Sequence, residues 1–241
     1  MKGEKRFVLD IPWDAEGIFV SRDNRFVGTV DITGPVSLKG EKVHIHDPGR
    51  LKEILYAGNR VLLRRVENGK RKTRWDLIAG KVGDMWVLVN TAYHRKIAEW
   101  VLEKELLAPL KNIDTIRPEQ KFGNSRLDFL LGRGEERIWV EVKGCTLVED
   151  RVALFPDAPT LRGKRHLEEL IKAVEDGDSS MLLILVFRPD AGCFIPNRET
   201  DPAFTKTFRH AVEKGVLVFP VVFSYEDGKL YYNSQISLCN H

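Results

Sequence analysis

Two largely apolar stretches, Met181–Arg188 and Val216–Phe223, constrain the fold more than any other feature of the chain. A strand that is apolar on both faces must be covered on both faces. Each stretch follows a segment that reads as a helix. Leu167, Leu170, Ile171 and Val174 form one stripe within Thr160–Glu175, and Pro202–Lys214 is the other helical segment. Strands joined through helices run parallel. The second half of the chain is therefore expected to be an α/β domain.

The first half reads differently. Short β segments at Gly17–Val20, Phe26–Ile32, Lys42–His46, Arg60–Val66, Arg74–Lys81 and Met85–Val89 are separated by tight turns. A short helix is expected over Arg50–Tyr56 and an amphipathic one over Thr91–Leu107, with Asn90 or Thr91 as its cap. Five or six strands with one small helix suggest a small OB-like barrel. The expected architecture is α+β overall, with an OB-like domain over residues 1–85 and an α/β domain over 86–241.

Composition excludes several classes. No run of 18 apolar residues occurs, and MKGEKRFVLDIPWD has no apolar core of a secretory signal, so a cytoplasmic location without membrane contact is expected. Cys145, Cys193 and Cys239 are odd in number and widely spaced, which predicts reduced thiols. No G-x-S-x-G, Walker A or G-x-G-x-x-G sequence is present, so no nucleotide cofactor is expected. His44, His46 and Asp47 lack a further nearby His or Cys to complete a zinc site.

The chemistry concentrates in a predicted hairpin, Ser125–Leu131 with Arg137–Lys143. Alternation puts Ile138, Val140 and Val142 on one face and Glu141 and Lys143 on the other. A loop over Arg133–Glu136 pairs Leu131 with Ile138, and that register sets Asp128 opposite Glu141. Two carboxylates so placed repel unless a cation lies between them. Mg²⁺ or Mn²⁺ with Asp128, Glu141 and Lys143 is the equipment of phosphodiester hydrolysis. From spacing alone, a surface hairpin with a Glu–Lys pair beside an unrelated Asp fits as well.

Asp128 followed by Glu141-Val142-Lys143, after a helix and before a strand–helix–strand unit, resembles the PD-(D/E)XK nuclease superfamily. The blocks S-R-L-D-F, E-V-K-G-C-T-L and F-P-D-A-P-T-L-R-G-K-R-H-L-E-E-L resemble the sugar fermentation stimulation protein A (SfsA) family. Phe194–Asn197, Asp201–Phe204, Ala211–Val216, Arg22–Phe26 and Val89–Thr91 extend the likeness over nearly the whole chain. The resemblance implies an OB-like domain, a PD-(D/E)XK nuclease-like domain and DNA binding. It implies Asp128, Glu141 and Lys143 as the metal-and-lysine motif, with the helical Glu99 as a further ligand and Glu103 as its competitor. Leu127 stands where the superfamily name puts proline. His44–Leu51 departs from the usual family stretch H-x-P-N-T-G-S-M.

Two basic segments are candidates for phosphate contact. Arg64, Arg65, Lys70, Arg71, Lys72 and Arg74 flank the Asn68-Gly69 turn signal. Arg162, Lys164, Arg165 and His166 crowd a helix start, where cations oppose the helix dipole. Gly163 in that helix suggests close approach of a ligand backbone. Asp157 and Thr160 are candidate caps. The leading reading is a metal-dependent nuclease acting on DNA. The alternative is a non-cutting DNA-binding regulatory protein, with RNA as a further target class. Oligomeric state is open, a homodimer being the arrangement suited to two strands.

Overall fold

The computed structural model describes residues 5–67, 73–107 and 110–239. They group into two compact units. Unit 1 is Met1–Tyr93 with Phe187–Pro189 and Phe223–Asn233, and unit 2 is His94–Val186 with Asp190–Val222 and Ser234–His241. The expected division at residue 85 separates the same regions along most of the chain. Residues 86–93 and 223–233, however, group with the first.

In unit 1 the strands are β1 (Arg6–Asp10), β2 (Ala15–Asn24), β3 (Val27–Gly34), β4 (Leu38–His44), β5 (Arg60–Arg65), β6 (Trp75–Val82) and β7 (Met85–Leu88). Their order β4-β3-β2-β5-β6 closes through β4–β6 pairing, Val43 against Trp75 and His44 against Asp76. That closure makes a five-stranded barrel and removes the free edges. Phe19, Val30, Ile32, Val43, Val61, Leu63 and Leu77 fill its interior. The expected helix over Arg50–Tyr56 is a series of turns instead. Leu51 takes a left-handed φ of 49°, which interrupts any helix there. Arg22 donates to the carbonyls of Asp47, Gly49 and Arg50, so one side chain holds the loop.

Unit 2 begins with α1 (His94–Glu103), preceded by a 3₁₀ turn at Thr91–Tyr93 in unit 1. Then come β8 (Thr115–Phe122), β9 (Ser125–Arg133), β10 (Glu136–Cys145), β11 (Val148–Glu149) and β12 (Val152–Phe155). They are followed by α2 (Leu161–Glu175), β13 (Ser179–Val186), β14 (Cys193–Pro196), α3 (Pro202–Glu213), β15 (Leu217–Glu226), β16 (Lys229–Gln235) and β17 (Ser237–Leu238). β8, β9 and β10 are antiparallel, while β10, β13 and the first part of β15 run parallel. Helix, hairpin, crossover helix and apolar parallel strand thus occur in the expected order. α2 packs on β10 and β13, and its apolar stripe joins Trp139, Leu182 and Ile184 in one core.

The amphipathic helix is shorter than Thr91–Leu107, because Glu105 takes a left-handed φ of 47° just past its end. The expectation of reduced cysteines holds for Cys145 and is overturned for the other two. Cys193 and Cys239 form a disulfide that joins β14 to the residue after β17, and Cys145 is a buried thiol outside any disulfide. Strand pairing of Phe194 with Leu238 brings these distant residues together, which spacing along the chain could not reveal. Among the described residues no helix is long and apolar enough to cross a membrane.

Candidate functional site

β10 alternates its side chains between two environments. Trp139 and Cys145 join the core under α2, so Glu141 and Lys143 share that face. Gly144 lies on the other face, where a Cβ would stand 2.2 Å from the His94 ring of α1. Only glycine allows His94 to pack so close to the strand.

The β9–β10 register pairs Leu131 with Ile138 and Phe129 with Val140. One step further sets Asp128 against Glu141, as the hairpin reading expects. The ladder stops there, and the Asp128 carboxylate takes over by accepting from the backbone N–H of Val142 at 2.7 Å.

Glu141 is 1% exposed. Its Oε1 is shared by the Lys143 ammonium and Nδ1 of His166. Its Oε2 is buried and has no hydrogen-bond partner. Burial opposes ionisation of Glu141, but Lys143 and the His166 hydrogen bond outweigh it and hold the carboxyl below the usual glutamate range. Asp128 goes the other way. Burial first, and the Glu141 charge second, push it up to about 6. Burial, with Lys143 adding to it, lowers His94 to about 4.

An orphaned carboxylate oxygen beside a carboxyl of raised proton affinity fits a divalent cation. Asp128 and Glu141 are the residues that would hold it. Glu99, the expected further ligand, is held by Arg95 at 3.0 Å. It sits on α1, the helix whose His94 meets the opposite face of β10. Among the described residues no group of three or more His, Cys, Asp or Glu, Glu103 included, gathers as a metal cage.

The start of α2 also departs from expectation. His166 is 3% exposed and belongs to the carboxylate site rather than to an outward phosphate surface. Arg162 donates to its Nε2 at 3.4 Å. A guanidinium only donates, so Nε2 accepts and Nδ1 faces Glu141 as the donor. Lys164 pairs with Glu168 at 3.1 Å, whereas Arg165 is exposed. The helical spacing of Gly163, His166, Leu167 and Leu170 is the signal that put His166 on the buried stripe.

Thr160 caps the helix by accepting from the Gly163 N–H at 3.0 Å. A Cβ on Gly163 would lie 2.8 Å from Thr160 Cγ2 and 3.3 Å from the Phe204 ring. Internal packing therefore suffices to explain the glycine. Gly163→Ala is expected to destabilise unit 2 by about 1–3 kcal/mol, despite alanine's better helix propensity. Chemical denaturation checks this, and a variant as stable as the wild type would refute the packing account.

In unit 1, Arg64, Arg65 and Arg74 line a groove of about 670 Å³ together with Val36, Leu38 and Trp75. Arg64 also donates to the Tyr93 hydroxyl, and Arg74 lies 3.6 Å from Glu41. Lys70, Arg71 and Lys72 lie outside the described residues. Of the nearby aromatics, Trp75 is buried, Trp86 is covered by Arg60 and Lys81, and Phe26 is exposed beside His44. His46 faces Asp76 at 3.2 Å.

The chain thus pairs an OB-type barrel with an α/β unit that carries a buried acid–acid–lysine site. Residues 20–89 match the SfsA N-terminal OB domain, and residues 92–229 match the sugar fermentation stimulation protein RE domain. A sugar fermentation stimulation protein homolog of Methanococcoides burtonii is 51% identical over 237 residues, 96% of this chain and 95% of that one. A homolog of Thermotoga maritima is 45% identical over 231 residues, 96% of this chain and 98% of that one. The structure of Pyrococcus furiosus SfsA in complex with Ca²⁺ superposes with a TM-score of 0.86 at 30% identity, over 96% of this chain and all of that one. The chain belongs to the sugar fermentation stimulation protein (SfsA) family.

Proposed function

We propose that this protein binds DNA and hydrolyses its phosphodiester bonds with a divalent metal ion, Mg²⁺ or Mn²⁺, held by Asp128 and Glu141. The observation that carries the reading is Glu141 Oε2, buried and without a partner while its sister oxygen is doubly held. A relative whose structure is described as a complex with Ca²⁺ supports a divalent ion in the family.

When bound, the metal supplies Lewis acidity and a water of lowered pKa. The chain's own residues supply the rest. His166 and Lys143 fix Glu141 so that Oε2 remains available. Val142 N–H orients Asp128. Lys143 places a positive charge where negative charge develops on a phosphate. Arg64, Arg65, Arg74 and Arg162, with Lys70, Arg71 and Lys72, are proposed to contact the phosphate backbone.

Purified protein incubated with duplex and single-stranded DNA and with RNA, each with Mg²⁺ or Mn²⁺, tests the reading. Metal-dependent cleavage is expected, and Asp128→Asn and Glu141→Gln should abolish it. DNA binding without cleavage under any of these conditions would instead favour a regulatory protein.

Because Asp128 takes a proton at about pH 6, metal and proton compete below that pH. Metal affinity is expected to fall about tenfold per pH unit below 6 and to level off above it. Mn²⁺ titration calorimetry across pH 5–8 reads this directly. An affinity independent of pH would remove Asp128 from the site.

A further inference from the structure

A groove of about 520 Å³ runs along α3, lined by Arg198, Thr205, Lys206, Arg209, His210 and Glu213 among others. It is separate from both basic segments that the sequence singles out. Arg198, Lys206 and Arg209 are exposed and make no ion pair among the described residues. Several other cations of this unit behave differently. Arg137, Lys164, Lys172 and Lys214 each hold a carboxylate at about 3 Å. Glu213, the acid of the groove, lies 3.7 Å from His210. The buried Thr205 hydroxyl lacks a hydrogen-bond partner. Three unneutralised cations in one groove call for an anionic occupant.

The position of the groove follows from Asp201. Its Oδ1 caps α3 through Phe204 N–H at 2.9 Å, and its Oδ2 accepts from Thr160 N–H at 2.8 Å. One carboxylate therefore ties the starts of α2 and α3 together. Arg162, exposed in the first turn of α2, reaches the carboxylate site through His166.

We propose that the α3 groove holds the phosphate backbone of duplex DNA, a contact that rests on the function proposed above. Lys206 and Arg209, three residues apart, share a helix face. Two long cationic side chains on one face can reach neighbouring phosphates of one strand. The groove offers charge without Phe, Tyr or Trp for base stacking, which fits a duplex backbone better than a single strand.

The test is binding of the full chain to a short mixed-sequence duplex over a salt series, with EDTA present to prevent cleavage. Wild type is compared with Arg198→Ala/Lys206→Ala/Arg209→Ala and with Lys206→Ala alone. The triple variant should lose two to three phosphate contacts. Its log–log salt slope should flatten by about 2–3, with a loss of roughly 30- to 150-fold in affinity near 0.15 M salt. Lys206→Ala should flatten the slope by about 0.9. Mn²⁺ affinity should be unchanged in both, because neither touches Asp128 or Glu141. An unchanged slope and affinity would overturn the groove assignment and leave the metal reading standing. A wild type without affinity for DNA at low salt would overturn both.

Discussion

Asp128→Asn is expected to make the metal-free protein more stable at pH 7.5 while removing its divalent-ion affinity. Burial and the Glu141 charge push the Asp128 carboxyl up to about 6, against an ordinary value of 3.8. The folded chain therefore holds a proton more tightly than the unfolded chain between these values. Stability falls as pH rises from about 3.8 to about 6, and the full penalty remains above 6. The gap corresponds to roughly 3 kcal/mol, an upper figure for what the substitution recovers. Asparagine keeps an oxygen for the Val142 N–H and loses the charge.

His94 runs in the opposite sense. Burial, then Lys143, lowers it to about 4, so its contribution is lost as pH falls from 6.5 towards 4. In the wild type the two slopes oppose each other. In Asp128→Asn the opposing Asp128 slope is gone, and acidification from pH 6.5 to 4 should destabilise this variant more steeply. Denaturant titration in EDTA checks both statements. A variant less stable than the wild type at pH 7.5 would mean that Asp128 is not strained. Saturating Mn²⁺ should reverse the order, because only the wild type gains binding energy from it.

Lys143→Ala should move stability in the other direction. Lys143 and His166 are the two groups that meet Glu141 Oε1, and the Glu141 side chain is 2% exposed. Removing one partner of a buried ion pair leaves uncompensated charge, at a cost of about 3 kcal/mol. The site becomes more negative, so Mn²⁺ affinity should be kept or increased. Cleavage should fall by about 10²–10³-fold, the scale of removing one electrostatic donor to a transition state. Stability, calorimetry and single-turnover cleavage on the one variant separate these effects. Loss of metal affinity together with cleavage would make Lys143 a structural support of the site only.

Much of this arrangement is legible in the sequence. The apolar stretches became β13 and β15, and the hairpin register put Asp128 against Glu141 because the side-chain period of a strand leaves little freedom once one pair is known. The parts not read have physical reasons. β8 carries Arg117, Pro118, Glu119, Gln120 and Lys121 and lies at a sheet edge, where polar side chains and proline are tolerated. β14 and β17 are too short to show a period. The disulfide between Cys193 and Cys239 depends on their pairing. His166 sits among Arg162, Lys164 and Arg165 in the sequence, yet its helical position puts it on the buried stripe. Gly163 has a packing reason that only the fold reveals, because Thr160 and Phe204 close around it.

The most direct test of the central claim is a crystal soaked in millimolar Mn²⁺ and examined for anomalous scattering. The account predicts a peak bound by Glu141 Oε2 and a carboxylate oxygen of Asp128. Absence of a peak there, or a peak bound only by other residues, would contradict it.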